Sequence, residues 1–214
     1  MSFIEDVKKK AKANLKTIVL PEAEDKRTLE AAQQIKKEGF AKLILLGNKE
    51  TVEKDARNYG LDLSGIEVVD PKTSPALNDY VTCLAELRKS KGMTEEEARK
   101  LLTESNTYFA VMMVKKGDAD GLVSGACHST ADTLRPSLQI LKTKPGTKLV
   151  SAFFVMVVPD CSYGENGTFV FSDCGLNQNP TAEELAAIAE SSAESFRFLV
   201  GKEPKVAMLS YSTM

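Results

Sequence analysis

The residues best suited to chemistry follow a short predicted strand, 121–124, near the middle of the chain. The strand leads into a loop of small residues in which Ser129 and Thr130 stand where a helix would begin. The first N–H groups of a helix lack partners within it and carry partial positive charge, so they favour an anion such as phosphate. Arg135 lies five residues beyond Thr130, and its guanidinium can hold a phosphate through two hydrogen bonds. The alternative is an ordinary helix cap followed by a surface arginine, because the segment contains neither a Walker loop nor a dinucleotide fingerprint.

Three other polar side chains have two interpretations each. His128, the only histidine, could act as a general base, although a structural hydrogen bond is the simpler role. Arg88 follows the apolar stripe of a predicted helix, and taken alone it is interpreted as a solvated charge. Asp173 follows a predicted strand at its carboxyl end, where open α/β sheets bind ligands, or else it caps a turn. The residues alone leave these alternatives open.

The cysteines do not indicate a metal site. Cys83, Cys127, Cys161 and Cys174 form no C-x-x-C pair, and their spacings of 44, 34 and 13 residues match no zinc template. Reduced thiols in a cytosolic protein are the favoured interpretation, with a disulfide or a metal cluster as the alternative. The sequence therefore predicts no metal ligands.

The elements that must position these residues alternate between strand and helix. Apolar runs predict strands, and apolar residues at helical spacing, closed by glycines, predict helices. The predicted strands of the first part of the chain are 16–20, 41–46, 66–69 and 121–124, and its predicted helices are 27–38, 49–59, 77–91, 94–102, 106–116 and a last one ending near residue 142. This alternation predicts an α/β fold with a mostly parallel sheet.

A polar connector with proline and glycine, 142–148, predicts a boundary between a first α/β domain, 1–145, and the start of a second one, 146–214. Beyond it the sequence predicts two neighbouring strands, a helix that opens with a capping box, and a final strand; their ranges are 149–158, 167–172, 181–199 and 205–210. No helix follows the final strand. We therefore expect the second α/β domain to be incomplete.

Composition and charge exclude several classes of protein. The chain has 214 residues, of which 43% are apolar, and this content excludes a disordered segment. Its net charge of −2 argues against binding to nucleic acid or to an anionic membrane. The longest nearly apolar run, 149–158, has ten residues, whereas a membrane span needs about 20. The N-terminus lacks the apolar core of a secretion signal, so the sequence predicts a cytoplasmic protein.

Four segments carry a resemblance to a known family. TIVLPEAEDKRTLEAA at 17–32, GDADGLVSGACHSTADTLRPSLQI at 117–140, FSDCGLNQNPTAEELAAIA at 171–189 and VAMLSYST at 206–213 resemble phosphate acetyltransferases (phosphotransacetylases). The resemblance runs along the whole chain and corresponds to the N-terminal two-thirds of the family chain. The residue sequence of the 117–140 segment is specific to the phosphate acetyl/butyryl transferase group, and it favours the acetyl enzyme.

The resemblance implies the reversible reaction of acetyl-CoA and phosphate to CoA and acetyl phosphate. It implies direct attack of the CoA thiolate on acetyl phosphate within a ternary complex, with no metal and no tightly bound cofactor. It also implies two α/β domains related to the isocitrate and isopropylmalate dehydrogenase fold, a cleft between them, and a homodimer. Arg88 and Arg135 match the family's arginines that face the acyl phosphate, Ser129 and Thr130 match its phosphate-binding loop, and Cys161 matches a cysteine near the active site that is not the nucleophile.

The sequence also departs from the family. The family continues past the SYST strand, and its Ser-Arg pair and the aspartate proposed to deprotonate the thiol come from that later segment. We therefore expect these 214 residues alone not to be a competent enzyme. The alternatives are a phosphate butyryltransferase and a non-catalytic module that binds acyl phosphate. A dehydrogenase of the related fold would need metal-binding aspartates and a nucleotide site, which the sequence does not indicate.

Overall fold

The computed structural model describes residues 3–147 and 149–209. They divide into two compact units, one formed by 8–142 and the other by 3–7 together with 143–209. The first helix, α1, covers Phe3–Ala13. No helix in the described part of the chain is both long enough and apolar enough to span a bilayer.

The first unit is built on a four-stranded parallel sheet with the strand order β3-β2-β1-β4. The strands are β1 (Thr17–Leu20), β2 (Lys42–Leu46), β3 (Glu67–Val69) and β4 (Gly121–Leu122). Strand β2 has four consecutive buried residues, as expected of a parallel strand covered by helices on both faces. The predicted α/β fold with a mostly parallel sheet is thereby confirmed.

Six helices surround this sheet and end close to their predicted bounds. They are α2 (Lys26–Glu38), α3 (Lys49–Asn58), α4 (Leu77–Arg88), α5 (Glu95–Glu104), α6 (Asn106–Lys116) and α7 (Thr130–Ile140). A short 3₁₀ turn, Lys89–Lys91, extends α4 to its predicted end at Gly92. Pro136 lies buried inside α7.

Two apolar clusters hold the helices against the sheet. The larger cluster joins α4, α5, α6 and α7, and within it the rings of Tyr80 and Phe109 lie 5.0 Å apart between centroids. The smaller cluster packs Leu29 and Ala32 of α2 and Val52 of α3 with residues of β1 and β2. Six residues of helix α6 are buried, because the helix is apolar on most of its surface. Helix α7 enters the larger cluster through Ile140, near its C-terminal end.

The second unit contains a two-stranded sheet and one long helix. Strands β5 (Phe153–Val157) and β6 (Thr168–Ser172) pair antiparallel, and helix α8 (Ala182–Val200) begins with the predicted capping box. The two neighbouring strands predicted for this part of the chain are therefore confirmed, and they pair antiparallel, unlike the strands of the first unit. Two neighbouring strands joined by a connection this short pair as a hairpin, whereas a parallel pair needs a crossover of a dozen or more residues.

The prediction of a final strand at 205–210 is wrong for the residues that the structure describes. Residues 201–209 form no strand, and Leu209 is 91% exposed. An apolar run becomes a strand only where a neighbouring strand offers a free edge, and none of the described strands pairs with this segment. Ser210 and the residues after it lie outside the described part of the chain.

Candidate functional site

A buried glutamate, Glu22, organises the loop that precedes α7. It follows β1 and is 1% exposed. One carboxylate oxygen, Oε2, accepts hydrogen bonds from the backbone N–H groups of Gly125 at 2.7 Å and Ala126 at 2.8 Å. The other, Oε1, accepts from those of Cys127 at 2.9 Å and His128 at 3.0 Å. Four successive backbone donors therefore converge on one carboxylate.

The hydrogen bonds keep this buried carboxylate ionised. Burial by itself raises the pKa of Glu22, but the hydrogen bonds from Cys127, Ala126, His128 and Gly125 outweigh it and lower the pKa to about 2. Glu22 was not predicted as a site residue, because its partners lie 103 to 106 residues further along the chain. The acidic segment around it, PEAED, has the composition of an exposed loop.

His128 has the structural role that was the simpler interpretation. Its Nδ1 lies 2.8 Å from Oε1 of Glu22. Because that carboxylate is ionised and can only accept, Nδ1 carries the hydrogen of this contact. Arg27 supports the loop from the opposite side, since its Nη2 donates to the carbonyl of Ala126 and also lies 2.6 Å from Oδ2 of Asp25.

The start of α7 matches the predicted helix cap. The hydroxyl of Ser129 accepts a hydrogen bond from the backbone N–H of Asp132 at 3.2 Å and donates to its carboxylate at 2.6 Å. The N–H groups of the preceding loop are occupied by Glu22, so they are not available to an anion. The donors that suit an anion here are those of the exposed first turn, at Thr130 and Ala131, which have no acceptor within the helix.

The two predicted arginines share a neighbour, Tyr108 of α6. Burial raises the pKa of the Tyr108 hydroxyl, while the charges of Arg135 and Arg88 oppose that rise. The hydroxyl also donates to Oε1 of Gln139 at 2.9 Å, one helical turn after Arg135. Arg135 is exposed on α7. The charges of both guanidinium groups thus act on one tyrosine.

Arg88 is not the fully solvated charge that its sequence position suggested. Its side chain is half-buried, and its Nε is buried with no hydrogen-bond partner among the described residues. A buried donor without a partner costs free energy, about 1–3 kcal/mol. An anion bound beside Arg88 would supply the missing acceptor.

The remaining candidates lie in the second unit. Asp173 accepts hydrogen bonds from the backbone N–H groups of Gly175 at 2.8 Å and Leu176 at 2.7 Å, and from the side-chain amide of Asn177 at 2.6 Å. Burial raises the pKa of Asp173, but these bonds lower it to about 2. This geometry supports the turn-capping interpretation of Asp173. Cys161 is half-buried in the connection between β5 and β6.

The Glu22 carboxylate predicts a loss of stability in acid. The pKa of Glu22 is about 2 in the folded chain, against an ordinary value of 4.5. A lowered folded-state pKa contributes stability that is complete above the ordinary value and is lost as the pH falls from about 4.5 toward about 2. We expect this loss to amount to about 3 kcal/mol of the free energy of unfolding of the first unit.

Urea unfolding at pH 5 and at pH 3 should show about 2 kcal/mol of that loss, because at pH 3 the carboxylate is still mostly ionised in the folded chain but mostly protonated in the unfolded chain. The Glu22→Gln variant, which cannot titrate at this position, should show a flatter pH dependence over the same range. Equal pH dependence in the two proteins would contradict the assignment.

The chain was compared with known proteins. The phosphate acetyl/butaryl transferase family matches residues 2–214. The phosphate acetyltransferase of Acetivibrio thermocellus is 56% identical over 213 residues, which cover 100% of this chain and 63% of that protein. A phosphotransacetylase structure from Streptococcus pyogenes superposes with a TM-score of 0.90 at 40% identity, covering 100% of this chain and 64% of that one. The EutD phosphotransacetylase structure from Staphylococcus aureus superposes with a TM-score of 0.88 at 43% identity, covering 98% of this chain and 61% of that one. The chain thus spans less than two thirds of the length of these relatives.

Proposed function

Because this chain belongs to the phosphate acetyl/butaryl transferase family, we propose that it takes part in the reversible transfer of an acetyl group between CoA and inorganic phosphate. The observation that carries the proposal is the buried Nε of Arg88, which has no hydrogen-bond partner among the described residues, and the charges of Arg88 and Arg135 acting on the same residue, Tyr108, support it. Two guanidinium groups close together are suited to a dianionic phosphate or an acyl phosphate.

The proposed chemistry forms one bond and breaks another. The CoA thiolate attacks the acetyl carbonyl, a C–S bond forms, and the bond from the carbonyl carbon to the phosphate oxygen breaks, so that phosphate leaves. Negative charge develops on the carbonyl oxygen and on the leaving phosphate. Arg88 and Arg135 would hold the phosphate and stabilise that charge.

The start of α7 supplies the second part of the proposed phosphate site. Ser129 fixes the first turn of the helix through its two hydrogen bonds with Asp132, and Thr130 would contribute its hydroxyl and its N–H group. Glu22 holds the preceding loop in place without touching the phosphate, because both of its carboxylate oxygens accept hydrogen bonds from that loop. We also propose that Cys161 lies near the acyl group without acting as the nucleophile.

The family also supports a wider proposal about the whole protein. It would comprise two α/β domains of the isocitrate/isopropylmalate dehydrogenase type, 1–145 and the region from 146 onward, and would act in the cytoplasm as a homodimer. It would use acetyl-CoA, phosphate and acetyl phosphate as substrates, without a tightly bound cofactor. Relatives named phosphate acetyltransferase support acetyl over butyryl transfer.

Two measurements on the 214-residue chain test this proposal. One is the binding of acetyl phosphate by titration calorimetry, and the other is phosphate-dependent loss of the acetyl-CoA thioester absorbance. We expect Arg88→Ala and Arg135→Ala each to weaken acetyl phosphate binding at least about tenfold, because a charge-assisted pair of hydrogen bonds is removed. Any turnover should fall by about 10²–10³-fold in either variant.

Arg57→Ala is the matched control, because Arg57 is an exposed arginine on α3, which packs in the other apolar cluster. Its binding and turnover should equal those of the unaltered chain. Acetyl phosphate affinity that is the same in all three variants and the unaltered chain would overturn the proposed site.

A further inference from the structure

Three side chains that can ligate a metal, those of Glu22, Cys127 and His128, converge where the segment after β1 meets the loop before α7, and Glu24 contacts one of them. Oε1 of Glu22 lies 2.8 Å from Nδ1 of His128. The sulfur of Cys127 lies 3.6 Å from each of these two atoms. It is also 3.6 Å from Oε1 of Glu24. One thiol therefore stands at equal distances from one imidazole nitrogen and two carboxylate oxygens.

The distances among Glu22, Cys127 and His128 are close to three edges of a tetrahedral zinc site, and the exposed Glu24 would have to move toward Glu22 and His128 to become the fourth ligand. Zinc binds thiolate sulfur at about 2.3 Å and imidazole nitrogen or carboxylate oxygen at about 2.0–2.2 Å, which places neighbouring ligand atoms about 3.5 Å apart. The three distances from the sulfur already have this length. The nitrogen–oxygen distance of 2.8 Å would have to open by about 0.5 Å as the hydrogen bond gives way to two metal bonds.

The charges around the thiol also favour a cation. Glu22, Glu24 and Asp25 carry three negative charges, and Arg27, which is paired with Asp25, carries one positive charge. Burial and the two glutamates raise the pKa of the Cys127 thiol to about 11. A bare thiolate is therefore disfavoured at this position, and a divalent cation would stabilise it.

We propose that Glu22, Glu24, Cys127 and His128 form a binding site for a thiophilic divalent cation of the zinc type. On binding, the Cys127 thiol releases its proton to solvent and its sulfur bonds to the metal. The His128 ring ligates through Nδ1 as a neutral imidazole, with its proton moved to Nε2. Oε2 of Glu22 keeps its hydrogen bonds from Gly125 and Ala126, so the loop retains its shape.

This site goes beyond the proposed acyl transfer, in which none of the four residues touches the substrate. A bound cation would join the segment after β1 to the loop before α7 by direct bonds, in addition to the present hydrogen bonds. The spacing templates for zinc did not indicate it, because the glutamates and the Cys127–His128 pair lie more than 100 residues apart.

Titration of the full 214-residue chain with Co²⁺ tests the site, because a thiolate ligand produces a charge-transfer absorption band. We expect one equivalent of Co²⁺ to produce the band and Zn²⁺ to displace it. Cys127→Ser should abolish the band, and His128→Ala should weaken binding at least about tenfold. Glu24→Gln, an exposed substitution that leaves the fold intact, should also weaken binding about tenfold. Circular dichroism checks that each variant is folded.

Cys174→Ser is the matched control, since Cys174 lies in the second unit and its thiol donates to the carbonyl of Phe171. Its cobalt band and its zinc affinity should equal those of the unaltered chain. Absence of a band at saturating Co²⁺ would overturn the proposal. So would a band that persists in folded Cys127→Ser, or one that is lost in Cys174→Ser.

Discussion

Replacing Glu22 with alanine is expected to lower the free energy of unfolding of the first unit by about 3 kcal/mol. The substitution removes the acceptor for the N–H groups of Gly125, Ala126, Cys127 and His128 together. Each donor left without a partner costs about 1–3 kcal/mol when buried, and water can reach part of this loop, so the total stays well below the sum. Urea unfolding monitored by circular dichroism measures the change.

Glu24→Ala is the matched control, because Glu24 is an exposed glutamate two residues away and accepts no backbone hydrogen bond in the described structure. Its effect should stay within about 0.5 kcal/mol. Amide hydrogen exchange then locates the loss. In Glu22→Ala, residues 125–128 should lose their protection while β1 and β2 keep theirs. A stability equal to that of Glu24→Ala would show that the loop does not depend on Glu22.

The second large effect is expected for Gly167→Ala in the second unit. Gly167 has a φ of +81°, and a Cβ built at this position would lie 2.1 Å from the carbonyl oxygen of Val158. Val158 cannot move away freely, because its N–H donates to the carbonyl of Gly167 at 2.9 Å. The left-handed conformation costs a residue with a side chain about 1–2 kcal/mol, and the overlap adds about 1–3 kcal/mol. We expect the β5–β6 hairpin to open.

Gly201→Ala separates these two contributions. Gly201 ends α8 with a φ of +76°, and a Cβ there would meet no atom within 4 Å. It should therefore show only the conformational cost of about 1–2 kcal/mol. Hydrogen exchange of β5 and β6 and thermal unfolding measure both variants. Equal losses in the two would mean that the contact with Val158 relaxes without effect.

The sequence predicted those elements whose signals are local. Helix α4 follows from apolar residues at helical spacing, and Gly39, Gly92 and Gly117 mark ends where the backbone has positive φ. The capping box predicted for the 181–199 helix is present at Thr181, and a second one begins α5 at Thr94. The prediction of a strand at 205–210 failed because a strand needs a partner strand for its backbone hydrogen bonds, and an apolar run does not specify that partner.

The candidate site was predictable only in part, for the same physical reason. Ser129 was predictable as a helix cap because both hydrogen-bond partners of its hydroxyl belong to Asp132, only three residues further along the chain. Glu22 was missed because its partners are distant, and no local pattern distinguishes a buried acceptor from a solvated acid. The role of Arg88 as a phosphate ligand came from the family resemblance alone, whereas that of Arg135 was also suggested by its position after Thr130; both roles remain predictions.

The pairing of β1 with β4 also determines when the parallel sheet can be completed during synthesis of the chain. The N–H of Thr17 donates to Asp120 across 103 residues of chain, and Ile18 is in register with Gly121. At about 5–20 residues per second, ribosomes deliver β4 about 5–20 s after β1. During that interval β1 can pair with β2 but presents its other edge unpaired, and unpaired edges invite association with other chains. The nascent protein therefore passes through a stage in which chaperone protection of residues 17–20 would matter most.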